Sequence, residues 1–318
     1  MRLALAFAST MALCWQTTGA FAQVPVPAAE FVPNVPGSDA EKSVPFLTAG
    51  DSLGKRRYVE VEYRIAGNAN LYDYVDDASQ SPLVQVVDAD LPYTTRLLIR
   101  RPQRAGRFNG TVYLDILNPT RGYDGEITWV YSANTLMDEG AVYVGITSTP
   151  ATVSFLRDEF GRPPFKPRNA SRYANLSMAD EGQIWDMLSQ AEALLKADGE
   201  PDNPLAGWNV QRIILTGHSQ SAGFIKTYLN SFHSSAILTD GRHAIDGYFE
   251  GAGSFASKRP NPSGGGGDFN PMGDPRNMSV EPVPAPVFRF QSETEVNTFF
   301  ASQLTRQTDS PMVRSYEM

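Results

Sequence analysis

Cysteine is almost absent from this sequence: of 318 residues only Cys14 carries a thiol, and it lies in an apolar N-terminal run. Beyond that run the chain holds no disulfide, no thiolate nucleophile and no cysteine-based metal site. Histidine is nearly as scarce, since His218, His233 and His243 are the only three, so few positions offer an imidazole base. No stretch reaches the ~18 uninterrupted apolar residues that a membrane-spanning helix needs, which argues against a membrane anchor. Long runs of cations are missing too, none exceeding Lys55-Arg56-Arg57. The 27 Lys and Arg residues stand against 35 Asp and Glu, a formal charge of −8, and this balance argues against a nucleic-acid partner.

The N-terminus carries Arg2, an apolar run from Leu3 to Leu13, and Ala20-Phe21-Ala22 before Gln23. These are the n-region, h-region and small-x-small cleavage site of a secretory signal. Residues 1–22 are expected to be removed after Ala22, and the product to be periplasmic or secreted. Leu13 precedes Cys14 where a lipid-attachment signal needs a small residue, which disfavours lipidation. Taking Arg2 from the 27 basic residues leaves 26 against 35 acids, a charge of −9. The remaining chain is long enough for one large α/β domain with a substantial core.

Residues 23–56 are rich in Pro, Ala and Gly without a period and read as an extended arm, which places the domain at 57–318. Tyr58 to Ile65 alternates, as does Thr95 to Arg101, predicting two leading antiparallel strands. Continuous apolar runs of the kind found in buried parallel strands follow at Thr111–Leu117, Ala141–Ile146, Ile213–Leu215, Ile245–Phe249 and Val287–Phe290. Helical patterns lie between them at about 126–139, 180–197 and 220–233. This alternation predicts a mainly parallel sheet with helices on both faces. Two long inserts, near 149–179 and 254–285, interrupt it. The first carries Phe155, Phe160, Phe165 and Tyr173 and suggests an apolar, lid-covered pocket; the second holds the glycine run 263–267, which reads as a linker because no Lys-Ser/Thr and no helix start follow it.

Thr216-Gly217-His218-Ser219-Gln220-Ser221-Ala222-Gly223 stands between the apolar run Arg212-Ile213-Ile214-Leu215 and a helical pattern containing Phe224, Ile225, Tyr228 and Leu229. A serine on a sharp strand-to-helix turn, with small residues two before and two after, is a nucleophile elbow. The small neighbours let strand and helix approach, so that the hydroxyl projects from the sheet edge. Ser219 is the expected nucleophile.

The elbow, the strand order and the later Gln291-Ser292-Glu293-Thr294-Glu295-Val296 together resemble the α/β-hydrolase superfamily, and from about Tyr58 onward an exported bacterial group within it of undefined substrate. The resemblance implies an α/β fold and a serine hydrolase, most often a carboxylic-ester hydrolase working through an acyl-enzyme. Its partner would be a small-molecule ester, and no metal or organic cofactor is implied. Glu295, after the next-to-last core strand, takes the position of the acid that orients a histidine, with Glu293 the alternate. The oxyanion hole would use the N–H of Gln220 and one from the loop Asn118-Pro119-Thr120-Arg121-Gly122-Tyr123. Pro119 has no N–H, leaving Thr120, Arg121 or Gly122 as donor; Arg121 could instead hold a substrate carboxylate.

In that superfamily the histidine follows the acid, and no residue from Val296 to Met318 is a histidine. His218 is read as a structural residue beneath the nucleophile. His233, at a helix end where an imidazolium would suit the helix dipole, and His243, in a turn, are read as surface residues. A displaced base at His243 is the minor alternative. The strand-like alternation of Met312 to Met318 then leads to the expectation of a C-terminally truncated chain lacking its last strand-loop-helix elements, with the base just beyond Met318. Such a chain would be poorly soluble and weakly active. A competing reading is a catalytically silent ligand-binding module on the same fold.

Overall fold

The alternating segments after residue 57 build the framework of a computed structural model that describes residues 23–35, 43–50, 52–160, 170–253, 257–262, 274–277, 279–297 and 302–318. Its strands are β1 (Ala28–Val32), β2 (Tyr58–Tyr74), β3 (Val84–Pro102), β4 (Thr111–Ile116), β5 (Val142–Ile146), β6 (Arg212–His218), β7 (Gly247–Gly251), β8 (Val287–Gln291) and β9 (Val313–Glu317). The helices are α1 (Ser52–Lys55), α2 (Ile127–Glu139), α3 (Pro150–Ser154), α4 (Ile184–Lys196), α5 (Gln220–Ser231) and α6 (Glu293–Asn297). One sheet takes the order β1-β2-β3-β5-β4-β6-β7-β8-β9. Pairing is antiparallel from β1 through β3 to β5 and parallel from there to β9. This is an α/β-hydrolase fold: a mostly parallel sheet flanked by helices. None of the described helices is long and apolar enough to cross a membrane.

The leading hairpin is longer than the alternation suggests, because β2 and β3 pair from Tyr58↔Pro102 out to Tyr74↔Val84. The outer half of β3 faces water on both sides, so no apolar period marks it. The arm is also more than a tail. Its β1 adds an edge strand, with Ala28 opposite Ala66 and Val32 opposite Glu62, and Phe46 packs its ring 5.3 Å from those of Phe155 and Phe160.

That packing corrects the expectation of a lid-covered pocket over residues 149–179. Thr149 caps α3 with its side chain, a wider turn follows over Phe155–Glu159, and Phe155, Phe160 and Tyr173 are buried in the core. Aromatic residues in the insert therefore anchor it to the arm. Phe165 and the glycine run 263–267 lie outside the described residues. At the other end of the sheet the alternation of residues 312–318 forms β9, parallel to β8 with Val287 opposite Val313 and Gln291 opposite Glu317, as its strand-like pattern predicts.

Strand alternation sorts β6 between the two faces. Gly217 meets Ser221 of α5 on one side. On the other, the Thr216 and Thr128 hydroxyls are 3.3 Å apart and the His218 ring faces Tyr131 of α2. Helix α5 thus leaves the sheet directly beside the end of β6.

Buried charges tie the hairpin to the loop that follows β4. The Arg96 guanidinium meets Glu62 at 2.8 Å and Asp124 at 2.9 Å, and Arg172 meets the other oxygen of Glu62 at 2.6 Å. All four side chains are out of water, where each charge needs a partner.

Candidate active site

Ser219 stands between the end of β6 and the first turn of α5 with φ 59° and ψ −120°, a backbone conformation that a residue with a Cβ adopts only under strain. Its amide donates to the Gly251 carbonyl at 2.9 Å, tying the elbow to β7. The strain depends on close approach: a Cβ on Gly217 would lie 2.9 Å from that of Ser221. Gly251 faces the same crowding from the other side, since a Cβ there would lie 3.0 Å from Cδ2 of His218. Ser219 itself is exposed. At the start of α5 the Gln220 amide points out of the helix with no intrahelical acceptor, as first-turn amides do.

The loop after β4 comes to the elbow at two points. Asn118 Nδ2 donates to the His218 carbonyl at 2.7 Å, and the Thr120 hydroxyl donates to Gln220 Oε1 at 3.0 Å. The loop closes on itself through the paired amides and carbonyls of Asn118 and Gly125, at 2.8 and 2.9 Å. Of the three amides expected to compete as oxyanion donors, two are engaged. Thr120 N donates to Asn118 Oδ1 at 3.0 Å, and Gly122 N donates to the Pro119 carbonyl at 2.9 Å. Arg121 N makes no hydrogen bond among the described residues. The Arg121 side chain is exposed, with the Tyr123 hydroxyl 3.5 Å away.

Both carboxylates at the end of β8 are described, in different surroundings. Glu293 is exposed. Glu295 is buried, and its Oε2 accepts the Ser292 amide at 3.0 Å and the Ser292 hydroxyl at 2.5 Å. Its charge also reaches the residue next to Ser219: burial lowers the pKa of His218, and Glu295 acts in the opposite sense.

The histidines separate into two places. His218 Nδ1 is buried without a hydrogen-bond partner among the described residues, and its ring lies on the α2 face. His233 is buried, not a surface residue as its sequence position suggests. Its Nδ1 shares a 2.7 Å hydrogen bond with the Tyr248 hydroxyl, and its ring stacks on His243 at 4.4 Å. Burial, then His243, pushes its pKa down to about 4, so it is the neutral imidazole rather than the imidazolium suited to a helix dipole. His243, partly buried, donates from Nδ1 to the His233 carbonyl at 3.0 Å. Among the described residues no group of three or more His, Cys, Asp or Glu is placed to hold a metal ion.

Two features escaped the sequence reading. One is the bridging role of Asn118; the signal was a strand ending at Asn-Pro, where Asn side chains often replace backbone partners. The other is a buried cluster under the elbow: Glu250 meets Arg289 at 2.9 Å and Lys226 at 3.5 Å. Burial raises the Glu250 pKa, but Arg289 and Lys226 outweigh it, and its carboxyl titrates below the usual value. Nothing in the local pattern announces this cluster, because its members come from β7, β8 and α5.

Residues 28–318 match the model of a family described as alpha/beta hydrolase domain. No curated protein matches the chain. Among solved structures the chain is similar to esterase Est22, at 11% identity over 82% of this chain and 72% of that one with a TM-score of 0.43. It is also similar to the carboxylesterase Cest-2923 from Lactobacillus plantarum WCFS1, at 14% identity over 71% and 77% with a TM-score of 0.42. A third is the glucuronoyl esterase from Solibacter usitatus, at 11% identity over 93% and 81% with a TM-score of 0.41.

Proposed function

The chain belongs to the alpha/beta hydrolase domain family, and from that premise we propose that it is an exported serine hydrolase cleaving carboxylic esters through an acyl-enzyme on Ser219. The observation that carries the proposal is the Ser219 backbone, held at φ 59° and ψ −120° at the start of a helix. Strain of this kind persists only where the surroundings enforce it, and it aims the hydroxyl outward. The Ser219 hydroxyl attacks the ester carbonyl, forming the Oγ–C bond, moving the carbonyl electron pair onto oxygen and giving its proton to solvent water, which returns one to the departing alkoxide. The N–H groups of Gln220 and Arg121 receive that oxyanion, Arg121 being the one of the three expected loop amides without an acceptor among the described residues. Collapse expels the alcohol, and water releases the acid from Ser219.

Glu295 is the acid of this scheme, preferred over Glu293 because it is buried and its charge reaches the elbow. It would hold the nitrogen-bound proton of a histidine and stabilise the imidazolium. The residues of this chain supply nucleophile, acid and oxyanion donors. On these alone turnover should be slow, because no histidine among the described residues hydrogen-bonds Glu295, which meets Ser292 instead, to take the Ser219 proton.

The test is hydrolysis of short p-nitrophenyl esters by the chain and by its Ser219→Ala variant. The proposal expects turnover above buffer that Ser219→Ala abolishes. Equal rates for chain and Ser219→Ala overturn it and favour the ligand-binding module. Export is tested separately: Edman sequencing of the protein from a periplasmic fraction should begin at Gln23.

A further inference from the structure

We propose that Asn118 is a positioning residue that fixes the oxyanion-donor loop against the nucleophile elbow and, of the Thr120, Arg121 and Gly122 amides, leaves Arg121 N–H as the donor. The inference rests on the reading of Ser219 as nucleophile and deepens it.

Strand β4 runs beside β6 only as far as the pair Asp115↔Thr216. Leu117 then turns its amide to the Ile146 carbonyl of β5, at 3.1 Å. Beyond that point the carbonyls of β6 that face β4 have no backbone partner, and a buried carbonyl without one is costly. Asn118 repairs the gap: its Nδ2 reaches the His218 carbonyl at 2.7 Å, on the peptide that joins His218 to Ser219. The same side chain faces back to its own loop, where Oδ1 accepts Thr120 N at 3.0 Å.

Those two bonds do different work. The first sets the distance between the loop and the peptide preceding the nucleophile, and so between the loop and Gln220 one residue after it. The second removes Thr120 N–H from competition, while the Pro119 carbonyl removes Gly122 N–H. Only a primary amide does both, because one atom must donate to a carbonyl while the other accepts from an N–H. Aspartate keeps the acceptor and sets a carboxylate oxygen against the His218 carbonyl. Leucine fills the space and makes neither bond. The Thr120–Gln220 contact is a second tie across the same gap, but it is exposed, whereas the Asn118–His218 bond is partly buried.

Displacement of an oxyanion donor by about 1 Å costs up to ~100-fold in rate, so loosening this tie should be visible in chemistry at Ser219 and not in stability alone. The probe is a fluorophosphonate, whose phosphoryl oxygen occupies the oxyanion site once phosphorus is bonded to Ser219. Labelling rate by intact mass and the ³¹P chemical shift of the adduct are read for wild type, Asn118→Leu and Asn118→Asp. The aspartate variant, nearly isosteric and retaining the acceptor for Thr120 N–H, decides the matter if the leucine variant does not fold.

Asn203→Leu is the control. Asn203 is also buried; its Nδ2 donates to the Ala197 carbonyl at 2.9 Å and its Oδ1 accepts Leu205 N at 2.8 Å, well away from the elbow. The expected result is labelling ~10- to 100-fold slower in the Asn118 variants with a displaced ³¹P resonance. Asn203→Leu should lose stability and keep both the wild-type rate and the wild-type shift. Equal rates and an unchanged shift in the Asn118 variants overturn this inference alone. No adduct on wild-type Ser219 overturns the nucleophile reading and this inference with it.

Discussion

A Cβ on Gly217 would lie 2.9 Å from the Cβ of Ser221 and 3.0 Å from its carbonyl carbon and oxygen. Strand β6 and helix α5 therefore touch backbone to backbone at the elbow, and no rotamer change relieves an added methyl group. Gly217→Ala should cost about 1–3 kcal/mol, the range for overpacking a close-packed interior, read from urea unfolding. Labelling of Ser219 should fall with it, since strand and helix must separate. A variant as stable as wild type would show that the contact is loose.

Two buried titrating groups should tilt the pH dependence of stability in opposite directions. Asp115 lies under α2; burial, opposed by hydrogen bonds from the Tyr143 and Thr128 hydroxyls, raises its pKa to about 7. A carboxyl whose folded pKa exceeds its unfolded value near 3.9 holds its proton longer in the native state. Stability is then lost as pH rises from about 4 to 7, at up to about 1.4 kcal/mol per pH unit. Asp115→Asn should remove that loss, seen as a rising stability difference from wild type across this window in urea titrations.

His233 works the other way. Its folded pKa of about 4 lies below the unfolded value near 6.5, so the unfolded chain binds the extra proton. Its contribution to stability is complete above about pH 6.5 and is lost as pH falls towards 4. His233→Phe should lessen the acid sensitivity of the protein between those values, while losing the hydrogen bond to Tyr248 at every pH.

Glu250 is compensated chiefly by Arg289, with both side chains buried. Arg289→Met should cost about 3–5 kcal/mol, because removing one partner leaves an inadequately paired buried charge. Adding Glu250→Gln should recover part of the loss, since that charge is then gone. A double variant no more stable than the single one would show that packing, not charge, dominates there.

An apolar groove of about 560 Å³ lies between α2 and β9, with Ile214, Phe249, Phe288 and Met312 among its lining residues. Phe288 and Tyr131 of the lining are 40% and 79% exposed, and Tyr316, stacked on Phe288, is 53% exposed. Clustered apolar surface of this kind binds hydrophobic dyes and promotes association. The chain should enhance the fluorescence of anilinonaphthalene sulfonate at neutral pH, and Phe288→Lys with Tyr316→Lys should reduce that signal. An unchanged signal would locate the dye elsewhere.

Much of this was readable from residue order because it is local. The small residues around Ser219 mark the strand-to-helix turn, and five apolar runs mark the buried strands, since a strand covered on both faces has no polar side. The outer half of the β2–β3 hairpin was not readable, because Gln85 to Asp90 face solvent on both sides and show no alternation. Nor was the pairing of Arg96 with Asp124, or of Glu250 with Arg289, which joins separate strands and loops. Thr120 and Gly122 could be set aside as oxyanion donors only once their amides were seen engaged. The aromatic residues of the 149–179 insert misled, because Phe155 and Phe160 are as apolar in a lid as in a core anchor.

The most direct measurement of the central claim is the mass of the protein after incubation with a fluorophosphonate, with peptide mapping of the modified residue. The account predicts a single phosphonyl adduct on Ser219, absent from Ser219→Ala. Folded protein that takes up no adduct, or takes it up equally in Ser219→Ala, would contradict it.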